Sequence, residues 1–242
     1  MKSNVARQCV GLMCILGILS SAGLADRRSY VWTYEYQTMP KGTAEIEYYL
    51  THKISDWDNY DDKNTWEHAV ELEYGLTDHW DVAIYQTWQQ TNTDTDDSFD
   101  YTGSKLRTRY RIGEKGQLPV DVLLYAEYIF GQGPKEYDKF EGKLILAKDF
   151  GKWNLSYNQI YEQKTKNGDD IEHGYATGLS YEFSPTWKTG IESAGNYTES
   201  KYYVGPTVSW ASEKLWVNLG VLGGLSDRSD DVQFRLLVGF PF

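Results

Sequence analysis

From residue 44 onward the chain alternates apolar and polar side chains, segment after segment. A period of two sustained over a whole segment describes a β-strand with one apolar and one polar face. The last segment shows it plainly. Val232, Phe234, Leu236, Val238, Phe240 and Phe242 fall on one side, and Gln233, Arg235 and Gly239 on the other. Twelve such segments can be marked off, at 44–51, 66–76, 80–90, 105–112, 120–130, 140–150, 153–161, 175–183, 187–193, 203–210, 215–222 and 232–242.

Alternation of this kind suits a soluble sandwich as well as a membrane barrel, so the connections and the aromatics have to decide. Tight turns at Thr77-Asp78-His79, Gly113 to Gly116, Gly151-Lys152, Ser184-Pro185-Thr186 and Ala211 to Lys214 alternate with longer stretches at 54–65, 91–104, 131–139, 162–174, 194–202 and 223–231. Aromatics bracket the tight turns: Tyr74 with Trp80, Phe150 with Trp153, Phe183 with Trp187, and Trp210 with Trp216. Rings with an apolar body and a polar edge settle at the headgroup level of a bilayer. Aromatics make up 15% of a chain that is otherwise hydrophilic, at a mean hydropathy of −0.58. The sequence therefore points to an all-β fold, a transmembrane antiparallel β-barrel of twelve strands with short periplasmic turns and longer extracellular loops. The aromatic lead Tyr30 to Tyr36 fits an extra strand, a periplasmic clasp or a disordered segment equally well.

Residues 1–25 read as a signal peptide, with Lys2 and Arg7, an apolar run from Val10 to Leu19, and small residues before a cleavage after Ala25. The run is too short to span a membrane, which takes about 20 apolar residues. The barrel is then expected over 26–242, exported to the bacterial outer membrane, without the two cysteines Cys9 and Cys14. Loss of Lys2 and Arg7 takes the formal charge from −11 to −13, a poor surface for nucleic acid.

Two passages carry a family resemblance. Met39-Pro40-Lys41-Gly42-Thr43-Ala44-Glu45-Ile46-Glu47 and Glu73-Tyr74-Gly75-Leu76-Thr77-Asp78-His79-Trp80-Asp81-Val82-Ala83 resemble passages of porin-like outer-membrane proteins, among them the barrels of the MetA pathway of phenol degradation. The closing segment likewise resembles the last strand of such barrels, where Phe240 and Phe242 would act as the membrane insertion signal. The resemblance implies a fold and a place, with outer-membrane lipid, lipopolysaccharide and the barrel-assembly machinery as partners.

No catalytic motif emerges. The His-x-Ser pair of outer-membrane phospholipases would follow a histidine, but the residues two places after His52, His68, His79 and His173 are Ile54, Val70, Asp81 and Tyr175. No metal or cofactor motif is present either. The acidic stretches Asp56, Asp58, Asp61, Asp62 and Asp94, Asp96, Asp97, Asp100 lack the glycine and distal glutamate of a calcium hand loop.

The polar parity offers the candidate pore lining: Glu67, Glu71, Glu73, Asp81, Lys105, Arg107, Arg109, Arg111, Asp121 and Glu127. Folding the hairpin about the Gly113 turn would set Arg111 opposite Asp121 and Lys105 opposite Glu127. Arg107 and Arg109 would have no acidic partner in that hairpin. They would either line an electrostatic constriction in a cation-leaning pore, with Glu45, Glu47, Glu141, Glu162, Glu182 and Glu192 on the other inward faces, or join a salt-bridge network that fills the lumen. The expected function is a passive channel for small polar or aromatic solutes. A non-conducting structural or adhesive barrel is the alternative, and a lipid-modifying enzyme comes third.

Deleting Phe242, or making Phe242→Asp, is expected to lower the amount of assembled outer-membrane protein while export continues. Immunoblots of fractionated cells measure this, and unchanged outer-membrane levels would show that the terminal Phe carries no signal.

Overall fold

The computed structural model describes residues 27–60, 63–93, 97–132, 138–165 and 170–242. The proposed signal peptide, Asp61, Asp62, Asp94 and Asp96 lie outside the described residues. Twelve strands run in chain order: β1 Ala44–Ile54, β2 Lys63–Thr77, β3 Trp80–Thr93, β4 Asp97–Ile112, β5 Asp121–Gly131, β6 Lys139–Phe150, β7 Trp153–Lys164, β8 Ile171–Ser184, β9 Trp187–Asn196, β10 Lys201–Ala211, β11 Trp216–Gly224 and β12 Val232–Pro241. Each pairs antiparallel with the next, and β12 returns to β1, which closes the barrel. At the seam the Phe242 N–H donates to the Ala44 carbonyl at 2.9 Å and the Ala44 N–H to Phe242 at 3.3 Å. Closure leaves no edge of unpaired backbone groups, the condition for a sheet to sit in hydrocarbon.

The apolar parity faces outward as the alternation requires. Ile46, Leu72, Ile84, Leu106, Leu124, Leu144, Leu155, Leu179, Ile191 and Leu219 are all exposed on the outer wall. Tyr74, Trp80, Phe150, Trp153, Phe183 and Trp187 form the outward aromatic ring beside the tight turns. Trp216 does not belong to it. It pairs in register with the inward-facing Ala211, so it points into the lumen and is 2% exposed.

Strands extend further toward the loop end than alternation alone suggests. β4 begins at Asp97 and places Asp97 and Asp100 within the sheet, while β8 begins at Ile171. The β4–β5 register also differs from expectation. Arg107 stands opposite Glu127, Arg109 opposite Tyr125 and Arg111 opposite Leu123. The connection bends at Gly113 and Gly116, both at φ +78°, and the Gln117 N–H donates to Glu114 at 3.0 Å. The centre of the turn is displaced by one residue, which slides the partner strand by two. A two-residue slide changes partners but keeps every side chain on its own face.

Inside the barrel lies the N-terminal lead. Residues 27–39 form neither a thirteenth strand nor a segment outside the wall. They cross the lumen near the turn end, with Tyr30, Val31, Tyr34, Tyr36 and Met39 buried. Tyr34 and Tyr36 cluster with Leu123, Tyr125, Ile145 and Ala147. Val31 clusters with Ala211, Trp216 and Leu237. The wall makes room on one arc, where the inward residues are small and polar: Ser156, Asn158, Gly178, Ser180, Thr207, Ser209, Asn218 and Gly220. A Cβ at Gly178 would collide with the Tyr30 ring, and one at Gly220 with Val31 and Trp32.

A closed sheet with a filled lumen resists detergent, so the unboiled protein is expected to migrate faster than the boiled one in gel electrophoresis. Identical mobility would contradict a closed barrel.

Candidate functional site

The arc opposite the small residues carries the charge. On β1 and β2 the register sets Glu45 opposite Glu73 and Glu47 opposite Glu71, two pairs of like charges on the inner face. With Asp81 they are wholly shielded from solvent, so positive charge has to come from nearby. It comes from β4. Arg107 stands opposite Ala83, and Ala83 stands opposite Glu73. The small side chain of Ala83 lets the guanidinium reach across β3. Arg107 pairs with Glu71 at 2.9 Å and Glu73 at 2.7 Å. Arg109 pairs with Asp81 at 2.7 Å and also with Glu73. Both arginines are 2% exposed, and their acidic partners come from β2 and β3, outside the β4–β5 hairpin, which is the salt-bridge network among the two expected arrangements.

Glu47, Glu71 and Glu73 bring carboxylate oxygens within 4.8 Å of one another, close enough to hold a cation. The two guanidinium groups already fill that role. The Tyr49 hydroxyl contacts Glu47 at 2.5 Å and Glu71 at 2.7 Å, and Arg28 of the lead donates to that hydroxyl at 2.8 Å. Arg28 lies 3.6 Å from Glu47, so the lead is tied directly into the charged arc.

On the other arc, side chains satisfy the backbone of the lead. The Glu192 carboxylate accepts the N–H groups of Val31, Trp32 and Thr33 at 2.8, 2.9 and 2.8 Å. Charge-assisted bonds from successive amides offset the desolvation of a buried carboxylate. Asn158 accepts from the Tyr34 N–H at 2.6 Å and donates to its carbonyl at 2.9 Å, as a neighbouring strand would. Asn218 donates to the carbonyls of Arg28 and Tyr30, and Ser209 donates to Arg28.

Above the lead, toward the loop end, a cavity of about 540 Å³ is floored by Val31, Trp32 and Tyr34. Its walls carry matched charges: Lys53 with Glu67 at 2.6 Å, Lys105 with Glu127 at 3.1 Å, Lys139 with Glu162 at 2.9 Å and Lys143 with Glu141 at 3.0 Å. Below the lead, a smaller cavity of about 170 Å³ is lined by Ser29, Glu35, Lys115, Lys188 and their neighbours.

The candidate lining residues thus separate into groups. Glu67, Lys105 and Glu127 face the upper cavity. Glu71, Glu73, Asp81, Arg107 and Arg109 form the buried network. Asp121 accepts from the Gly116 N–H at 2.6 Å and serves the β4–β5 turn. Arg111 donates to the Asp78 carbonyl beside the Tyr36 ring. Glu192 faces the lead instead of open water, and the buried Glu45 carboxylate accepts from the Trp216 indole. Phe240 and Phe242 lie on the outer surface. In the first loop Asp56 accepts from the Asn59 amide at 2.8 Å and from the Asp58 N–H at 3.0 Å. The Asn59 amide holds its carboxyl below the usual range, and the carboxylate shapes a turn.

No family model matches the chain, and no curated protein matches it. The resemblance to the phenol-degradation barrels therefore stays with the two quoted passages. Among solved structures the chain is similar to the KdgM porin in complex with disordered oligogalacturonate, at a TM-score of 0.61 and 10% identity over 82% of this chain and 99% of that one. It is also similar to the NanC porin, at a TM-score of 0.56 and 12% identity over 81% and 98%. Likeness at these identities is one of fold, the closed antiparallel barrel of outer-membrane porins.

Arg107→Ala removes the cation that contacts Glu71 and one of the two that contact Glu73 in a dry wall, and it is expected to cost about 3–5 kcal/mol, the usual penalty for breaking a buried pair. Lys53→Ala, which removes a half-exposed pair, is expected to cost about 0–1 kcal/mol. Urea unfolding in lipid vesicles measures both. Equal costs would show that the network is not what steadies the wall.

Proposed function

We propose that this protein is a porin-like channel of the bacterial outer membrane for small polar or aromatic solutes, and that residues 27–38 close its turn end in the conformation described. The observation that carries this reading is the floor of the upper cavity. It is built from a separate segment of chain, held by side chains and joined to the first strand through Met39 and Pro40. A barrel serving only as a wall would fill its lumen with its own strands. Displacing the segment here would join the cavity above it to the one below. The porin fold supports the outer-membrane location, with the aromatic ring at the periplasmic side, lipid and lipopolysaccharide around the wall, and the assembly machinery needed for insertion. Kinship with the phenol-degradation barrels would favour aromatic cargo, and it rests on the passages at 39–47 and 73–83.

Conductance across planar bilayers tests the reading. The mature protein is expected to show small or infrequent openings, and a variant lacking residues 27–38 a steady conductance several-fold larger. Glu192→Ala, which frees three backbone amides of the segment, is expected to raise the frequency of opening. A deletion variant that keeps its heat-modifiable mobility yet conducts no better than the parent would favour the non-conducting structural barrel.

A further inference from the structure

The upper cavity has a charge pattern with one exception. Its four lysines each lie beside a glutamate, and such pairs largely cancel beyond their immediate surroundings. Arg28 shares the buried carboxylate of Glu47. Arg235 of β12 also lines the cavity; among the described residues no carboxylate stands within ion-pairing distance of it, and the attraction it feels from Glu67 comes from a carboxylate already in contact with Lys53.

Its guanidinium is nevertheless fixed in place. Nε donates to Thr51 Oγ1 at 2.8 Å and Nη1 to the Val31 carbonyl at 3.2 Å. Its central carbon lies 5.2 Å from the centre of the Trp32 ring. Stacking and two hydrogen bonds hold the plane of the group, so a ligand does not have to order a free side chain. Nη2 makes no hydrogen bond to the protein. Beside it lies the Trp32 and Tyr34 floor, in a space within the ~300–1,000 Å³ typical of small-molecule pockets.

We propose that the base of this cavity is a binding site for a small monocarboxylate with a flat or ring-shaped body. The carboxylate would accept from Arg235, and the body would lie on the Trp32 and Tyr34 floor. One unmatched cation selects a single negative charge. A phosphate, with about two, would have to draw a lysine away from its glutamate. The site deepens the channel reading by giving its solute a chemical class, yet binding can be measured without conduction.

Benzoate, benzamide and inorganic phosphate are the probes, titrated calorimetrically into the full mature protein in detergent micelles with a micelle blank. Benzoate is expected to bind at least tenfold more tightly than its neutral isostere benzamide, and phosphate to compete poorly. Arg235→Gln should bring benzoate down to the benzamide level and leave benzamide unchanged, with heat-modifiable mobility reporting that the barrel is intact. Equal affinities for benzoate and benzamide in the parent protein overturn the proposal whether or not the variant folds. So does phosphate binding as tightly as benzoate, which would mean diffuse attraction, or unchanged benzoate binding by an intact Arg235→Gln. Binding without conductance would retain the site and remove the channel reading; conductance without binding would do the reverse.

Discussion

Carboxylates crowded on one inner arc are the constraint on which the interior depends. Register places Glu45 beside Glu73 and Glu47 beside Glu71, an arrangement that repels itself in a low dielectric unless cations are supplied at contact distance. Two arginines of β4 supply them by reaching over a strand narrowed at Ala83. Arg28 adds a third cation and the Tyr49 hydroxyl adds hydrogen bonds to Glu47 and Glu71, and Arg28 belongs to the lead. Electrostatic balance in the wall and the position of the lead are therefore one problem with one solution.

The two arcs hold the lead differently. The charged arc engages it through Arg28, and the opposite arc satisfies its backbone through Glu192, Asn158, Asn218 and Ser209. The lead then divides the interior into a larger cavity toward the loops and a smaller one toward the turns. In the larger one the charges are matched almost everywhere, so specificity concentrates where the matching stops, at Arg235.

Much of the wall is legible in the sequence, because side-chain parity is a local property. The outward Ile and Leu residues and the inward Glu71, Glu73, Arg107 and Arg109 follow from alternation alone. Register is not local. The centre of the β4–β5 turn depends on the left-handed glycines Gly113 and Gly116, and a displacement of one residue was enough to set Arg107 opposite Glu127 instead of Tyr125. Trp216 misleads for a related reason, since its face depends on the length of the preceding turn. Lead residues Tyr30 to Tyr36 carry the composition of a strand, and nothing within the segment says that its partners are side chains. The available signal was elsewhere: beside the lead, inward positions of β7 to β11 include Ser156, Asn158, Gly178, Ser180, Thr207, Ser209, Asn218 and Gly220, interrupted by Glu192 and Trp216, where β1 to β4 carry Glu45, Glu47, Glu71, Glu73, Arg107 and Arg109.

That row of small residues acts as a mould. Gly178 takes the imprint of Tyr30, and Gly220 that of Val31 and Trp32. Wall and insert are therefore complementary halves of one shape, although more than a hundred residues separate them along the chain. A foreign leader grafted onto these strands would meet hollows cut for other side chains, and this leader placed in a barrel with bulky inward residues would find no seat. The two are heritable only together, so an enlarged side chain on one side calls for a reduced one on the other.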